Sequence, residues 1–317
     1  MKKIFLFLLA CLVLFLLSIY IFIPNRIEVA KSVIVGTTDI GTERFVLDES
    51  KWGYWWNYND TNSTVKPQLA AVPYTANGDI YKLTKQFYKA VDIQITHDHQ
   101  LLESKLVIIP LSLDSTGIEW KCSLISGFNP FTRLGKYLEA KQIKKNMEIV
   151  LSSFKKFADK NENIYGIQIQ KTNLKDTLFV SSKTILPASP SMKQVYELIK
   201  KIQAYIPTKN IKQSGSPIFN ITQLGDSKYQ LMAAIPVDKR IEDSGDFSLK
   251  FMVRGSFMVT EVVGGDYTVS MASQSLHQYF TDFRKTSMAM NFTMLVTDRQ
   301  YQPDSTKWIT RLYYPVY

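Results

Sequence analysis

Apolar residues recur at i, i+3, i+4, i+7 twice in the C-terminal half of the chain. The first set is Val195, Leu198, Ile199 and Ile202, the second Leu276, Tyr279, Phe280 and Phe283. Each set lines one face of an α-helix. Each is followed by a strand-like stretch and a polar turn: Gly225-Asp226-Ser227-Lys228-Tyr229 in one copy, Pro303-Asp304-Ser305-Thr306-Lys307-Trp308 in the other. Each turn leads into an apolar strand, ending Ile235-Pro236-Val237 or Tyr314-Pro315-Val316. The pattern predicts one βαββ unit used twice, packed about a pseudo-two-fold axis, with a cleft between the copies where a ligand can sit.

The N-terminal half reads differently. Ile4 to Ile23 carries no charge, and at about 1.5 Å per residue it reaches roughly 30 Å, a bilayer's hydrocarbon thickness. No small-x-small cleavage site follows it, and the apolar run continues well past the lipobox-like Leu8-Leu9-Ala10-Cys11, so an uncleaved anchor is expected. Lys2 and Lys3 favour a cytoplasmic N-terminus with the remainder outside, although Arg26 and Lys31 flank the other end. Alternating positions predict a strand over 26–35 and further strands over Ile80–Tyr88, Val91–Thr96, Leu101–Leu113 and Ile118–Ser126. The turns between them fall at His97-Asp98-His99 and Asp114-Ser115-Thr116-Gly117. A long amphipathic helix is predicted over Phe131–Ala158, with the stripe Leu134, Tyr137, Leu138, Ile143, Met147, Val150, Leu151, Phe154 and Phe157. The polar stretch Asp159–Ile164 marks a boundary. The expected organisation is α+β: an anchor at 1–23, one domain at 24–160 and a second at 165–317.

Composition narrows the function classes. Aromatic residues make up 13% of the chain, which suits β-rich structure and aromatic-lined pockets. The net charge of +10 is scattered without a basic run, so nucleic acid is not the expected partner, while anionic ligands or lipid headgroups are compatible. The two cysteines, Cys11 and Cys122, lie too differently placed to form a disulfide. No cofactor motif is present.

Two resemblances follow from these residues. The order of strand, short helices, antiparallel sheet and long helix, the anchor before it, and the segment Glu49-Ser50-Lys51-Trp52-Gly53-Tyr54-Trp55-Trp56 resemble the SRPBCC (START-like, polyketide cyclase) superfamily. Leu138-Glu139-Ala140 and Asn161-Glu162-Asn163-Ile164-Tyr165-Gly166 are similar to the end of membrane-anchored members. This implies a helix-grip fold over about 27–160. The two βαββ copies, Gly264-Gly265-Asp266-Tyr267 before the second helix, and the paired Pro-Val strand ends resemble the GyrI-like small-molecule-binding fold. That implies a small amphipathic ligand between the copies. Many members carry an acidic residue four positions before the terminal proline, and Arg311 stands there instead, which favours a carboxylate or phosphate over a cation. Ala272-Ser273 stand where the family commonly places a glycine after its second strand.

The candidate ligand-binding residues are accordingly Arg311, Trp308, Tyr267, Tyr229 and Glu261 in the second domain, with Lys250 or Arg254 as partners of Arg311. Trp52 and Trp55, beside Trp56, could line a helix-grip cavity or simply fill its core. Glu261 could serve as a general base if desolvated, the arrangement expected of a hydrolase of electrophilic small molecules. An open apolar tunnel under the long helix would instead indicate a lipid carrier. His97-Asp98-His99 offers two imidazoles without a third ligand, so a polar hairpin tip is the simpler reading and no metal is expected. The sequence reading favours non-catalytic binding of a small, partly apolar molecule, with no catalytic residues assigned.

Overall fold

The computed structural model describes residues 2–58, 73–174, 178–225, 227–252, 255–287 and 289–316. It divides into two compact units, Met1–Ile164 and Tyr165–Tyr317.

The first unit opens with α1 (Lys2–Phe22), long and apolar enough to cross a membrane; a signal sequence would meet the same test. Strand β1 (Arg26–Val35) follows, then α2 (Asp39–Val46), a 3-10 turn at Glu49–Lys51 and α3 (Trp52–Trp55). Strands β2 (Tyr74–Ala76), β3 (Asp79–Phe87), β4 (Ala90–His97), β5 (Gln100–Pro110) and β6 (Thr116–Ile125) complete an antiparallel sheet in the order β1-β6-β5-β4-β3-β2. The long helix α4 (Pro130–Ala158) packs on this sheet, capped by the Asn129 carboxamide accepting from Phe131 and Thr132 N–H, with Pro130 preset for the first turn.

The β4–β5 connection is a two-residue turn: His97 pairs with Gln100, and Asp98 (φ 44°) and His99 (φ 66°) both lie in the left-handed region. His97 turns back to Asp79, its Nδ1 2.5 Å from the carboxylate. No cluster of three metal-ligating groups occurs among the described residues.

Between sheet and helix the space is filled with aromatic rings. Trp52 stacks on Trp56 at 5.2 Å, Trp55 meets Phe154 edge-on at 5.0 Å, and Tyr81 packs on Trp120 at 5.5 Å. Each indole N–H of the trio is satisfied by a backbone carbonyl: Trp52 by Val46, Trp55 by Phe45 and Trp56 by Thr75. The predicted stripe of α4 holds from Ile143 to Phe157, all buried. Leu134 and Leu138 are exposed, and the buried residues of the N-terminal turns are Arg133 and Ala140.

The second unit begins with the tail of α5 (Asn161–Tyr165) and β7 (Gln170–Asn173). One repeat is β8 (Leu178–Leu186), α6 (Met192–Thr208), β9 (Ile218–Gln223) and β10 (Tyr229–Val237). After β11 (Ser248–Phe251) comes the other: β12 (Ser256–Val263), α7 (Asp266–Asp282), β13 (Phe292–Leu295) and β14 (Ile309–Val316). The sheet runs β11-β8-β10-β9-β13-β14-β12-β7. This order is palindromic about the antiparallel β9–β13 seam, where Phe219 faces Thr293 and Ile218 faces Met294. The duplication read from the apolar periodicity is therefore a two-fold arrangement of strands. Ala272-Ser273 lie inside α7, not after a strand, so the glycine comparison made there has no structural counterpart.

Val195, Leu198, Ile199 and Ile202 of α6 pack on Val180, Leu231, Ala233 and Ile235 of the sheet. The opposite sheet face carries a smaller cluster, with Phe292 stacked on Tyr313 at 4.7 Å beside Phe257.

Candidate functional site

Arg311 and Glu261 are ladder partners on β14 and β12. Alternation puts both on the helix-free face with Tyr313 and Phe257. Arg311 Nε donates to Glu261 Oε2 at 2.7 Å, and both side chains are more than 40% exposed. The Arg311 guanidinium is held above its ordinary value mainly by that bond. The pair is thus an open cross-strand ion pair with each charge answering the other, and neither residue stands on a pocket floor. Lys250 is on edge strand β11, with β8, β10, β9 and β13 between it and β14, so it forms no patch with Arg311. Arg254 lies outside the described residues, as does Asp226 of the first polar turn. Tyr229 begins β10, half-buried beside Leu186 and Gln223. Trp52 and Trp55 belong to the first unit's core.

The remaining two candidates lead to a different place. Connection 296–308, between β13 and β14, is longer than its counterpart 224–228 in the first repeat. It folds over the outward face of α6 and the start of α7. Asp298 organises it by accepting from the Gln300 N–H through its carboxylate and from Tyr301 and Gln302 N–H through its carbonyl. The Trp308 indole closes it, donating to the Gln302 carbonyl at 2.7 Å. Gly264, at φ +142°, makes the abrupt passage from β12 into α7, its N–H donating to the Trp308 carbonyl at 2.8 Å. A Cβ there would lie 2.8 Å from Thr268 Oγ1, so the glycine is required. The Gly264-Gly265-Asp266-Tyr267 motif thereby places Asp266 at the first position of α7, where a carboxylate also suits the helix dipole.

Arg299 occupies the centre of this construction. Its side chain is only 6% exposed. One Nη pairs with Asp266, the other donates to Thr310 Oγ1 at 3.1 Å, and the guanidinium lies over the Trp308 ring, 4.5 Å from its centroid. Nε is buried, with no hydrogen-bond partner among the described residues. The Arg299 N–H donates to the Tyr196 hydroxyl of α6 at 3.1 Å. Burial is the leading influence on Tyr196 and keeps its phenol above the ordinary value, hence neutral and able to donate.

A groove of about 330 Å³ runs between α6 and this loop, with Tyr196, Lys193 and Lys200 on one wall and Arg299, Asp266 and Trp308 on the other. A second hollow of about 310 Å³ shares Tyr196 and Gln300 with it and reaches Ile199 and Leu295. Together these have the size and the mixture of aromatic and polar lining of a small-molecule site. Tyr267, next to Asp266, stands exposed outside this lining. Of the predicted site residues only Trp308 lines the groove. Arg299 and Tyr196 were missed, and nothing in Asp298-Arg299-Gln300 distinguishes it from a solvent loop.

No family model matches the chain and no curated protein matches it. Several solved structures are similar. The EcmrR C-terminal domain shares 13% identity over 48% of this chain and 98% of its own, with a TM-score of 0.42. SAV2435 bound to tetraphenylphosphonium shares 18% over 48% and 94%, with a TM-score of 0.36. A hydrolase from Listeria innocua shares 11% over 47% and 92%, with a TM-score of 0.35.

Proposed function

We propose that this chain is a membrane-anchored, non-catalytic small-molecule-binding protein. In this reading α1 is the anchor, the first unit is a helix-grip scaffold, and the second is a GyrI-like domain that receives a partly apolar, anionic ligand in the groove between α6 and the 296–308 loop. The observation that carries it is the groove itself, whose wall holds the buried Arg299 cation against the Trp308 ring. Burying that cation costs stability, and it stands beside an open groove whose other charged residues are Lys193, Lys200, Glu197 and Asp266, three cations to two carboxylates with Arg299 included. A carboxylate or phosphate in the groove could be met by Lys193, Lys200 and the Tyr196 hydroxyl, with the Arg299 charge behind them, while its apolar part lies toward Ile199 and Leu295.

Binding is favoured over turnover because Glu261, the one carboxylate read as a base, is open to solvent and engaged by Arg311. Lipid carriage in the first unit is disfavoured because Trp52, Trp55, Trp56, Phe154 and Phe157 occupy the space a tunnel would need.

The test is equilibrium dialysis of the detergent-solubilised chain against naphthyl phosphate, with tetraphenylphosphonium as the cationic counterpart and detergent alone as the blank. Saturable uptake of the phosphate, lost in Arg299→Met and kept in Arg311→Glu, is the expected result. Loss in Arg311→Glu alone would move the site to the helix-free sheet face. Preference for the phosphonium would overturn the anionic assignment.

A further inference from the structure

Leu134 and Leu138, at the N-terminal end of α4, fit the apolar stripe yet are exposed, and further exposed apolar side chains stand beside them where α1 ends. Tyr20, in the last turn of α1, donates its hydroxyl to the Phe128 carbonyl at 2.5 Å, and the Arg133 guanidinium lies over the Tyr20 ring at 4.8 Å. Ser126 ties down the exit of the helix: its N–H donates to the Asn25 carbonyl at 2.8 Å and its hydroxyl to the Pro24 carbonyl at 2.9 Å. Ile19 and Ile23 are buried against this region, although most of α1 is bare. The end of α1 is therefore fastened to the loop 126–129 and the first turns of α4.

Around that junction stand Ile125 (74% exposed), Phe128 (86%) and Phe131 (74%). Leu138, seven residues after Phe131, continues the same helical stripe and is also exposed. Arg26, the ladder partner of Ile125, is exposed next to them. Tyr20 lies two residues, about 3 Å of helix rise, from the end of α1. Whatever depth that end occupies, the fastened loop shares it. Aromatic side chains with a neighbouring cation are the composition that favours the boundary between acyl chains and headgroups.

We infer that Ile125, Phe128 and Phe131 form a lipid-inserting pad that seats the first unit on the bilayer at the level where α1 leaves it. The occupant is the acyl-headgroup boundary of the leaflet entered by the C-terminal end of α1. This rests on the reading of α1 as a membrane span. The pad acts as a second attachment, limiting how far the first unit can tilt or lift about the short link Ile23–Asn25.

The test uses the full chain in nanodiscs containing lipids brominated on the acyl chain, either near the headgroup or near the methyl end, with one thiol-attached fluorophore per protein. The native Cys11 reports the span. Phe128→Cys and Tyr88→Cys, each with Cys11→Ser, report the pad and a control turn, both positions being highly exposed and tolerant of replacement. Cys122 stays unlabelled because it is buried and burial pushes its thiol up to about 12. The expected result is loss of most emission at 128 with headgroup-proximal bromine, loss at 11 with methyl-end bromine, and unchanged emission at 88. Quenching at 11 without quenching at 128 would overturn the pad and leave the span standing. No quenching at 11 would overturn the span and the pad with it. Equal quenching at 128 and 88 would overturn the assignment to Ile125, Phe128 and Phe131.

Discussion

Replacing Arg299 by methionine separates a structural cation from one retained for a ligand. Methionine keeps most of the buried stem and removes the guanidinium. The ion pair with Asp266 contributes about 0.5 kcal/mol, because Asp266 is 61% exposed and water screens it. The cation over Trp308 contributes about 1 kcal/mol. Thr310 is fully buried, and leaving its hydroxyl without Arg299 costs about 1–3 kcal/mol. Against these losses, the orphaned Nε disappears, returning about 1–3 kcal/mol. The net destabilisation is then about 1–2 kcal/mol, read as a small fall in urea midpoint at constant slope. Affinity for naphthyl phosphate should fall much further. Removing the guanidinium charge a few ångströms from a bound anion is worth about 1–3 kcal/mol, roughly 5- to 150-fold in Kd. A stability loss above about 4 kcal/mol would show that Arg299 is a buried structural ion whose removal strands its partners. Unchanged affinity would show that the groove does not use it. Either result refutes the reasoning.

Other outcomes follow from the same geometry. Trp55→Ala should cost about 3–5 kcal/mol in chemical denaturation, because it empties the ring packed on Phe154 and Trp52; a smaller loss would point to a cavity already present. Arg311→Ala should change the unfolding free energy in urea by less than about 1 kcal/mol, since its bond to Glu261 is open to water. Burial acts to raise the Asp39 carboxyl, but the hydrogen-bonded Lys89 ammonium outweighs it and holds the group below its ordinary value. A depressed carboxylate contributes stability that is present above its unfolded value and lost as pH falls through the folded one. Stability should therefore drop on acidification below the ordinary carboxylate range, and Lys89→Met should remove that part of the drop. Changing Asp98-His99 to Asn-Gly should raise stability by about 0.5–1 kcal/mol, because both positions have positive φ and glycine and asparagine adopt it readily; a lower melting temperature would mean that one of these side chains is needed.

Several expectations changed for reasons visible in the structure. Leu134 and Leu138 fit the apolar stripe of α4 by spacing, yet the continuous buried stripe begins only at Ala140, while the preceding turns meet α1 through Arg133 and β5 through the polar contact of Lys136 with Gln100. The tryptophans were ambiguous between core and cavity wall. Their three indole N–H groups, each spent on a backbone carbonyl, place them in the core. Arg311 was singled out by a family position, and its neighbour across the ladder, Glu261, neutralises it. That pairing depends on a register between strands some 50 residues apart in sequence.

What the sequence determined by itself is what periodicity and local chemistry control. The two amphipathic helices, the strands around their polar turns, the left-handed tip at Asp98-His99 and the capped start of α4 all follow from side chains within a few residues of one another. The duplication was legible for the same reason, since two segments with one pattern must bury the same face. Only the tertiary structure decided which side chains meet. Arg299 meets Asp266, Trp308 and Thr310 within its own repeat and Tyr196 in the other, because the long loop between β13 and β14 reaches both the start of α7 and α6. Tyr20 comes to Phe128 and Arg133 because α1 is fastened at its end. Burial of a charge or exposure of an aromatic ring depends on those long-range contacts, and no local pattern encodes them.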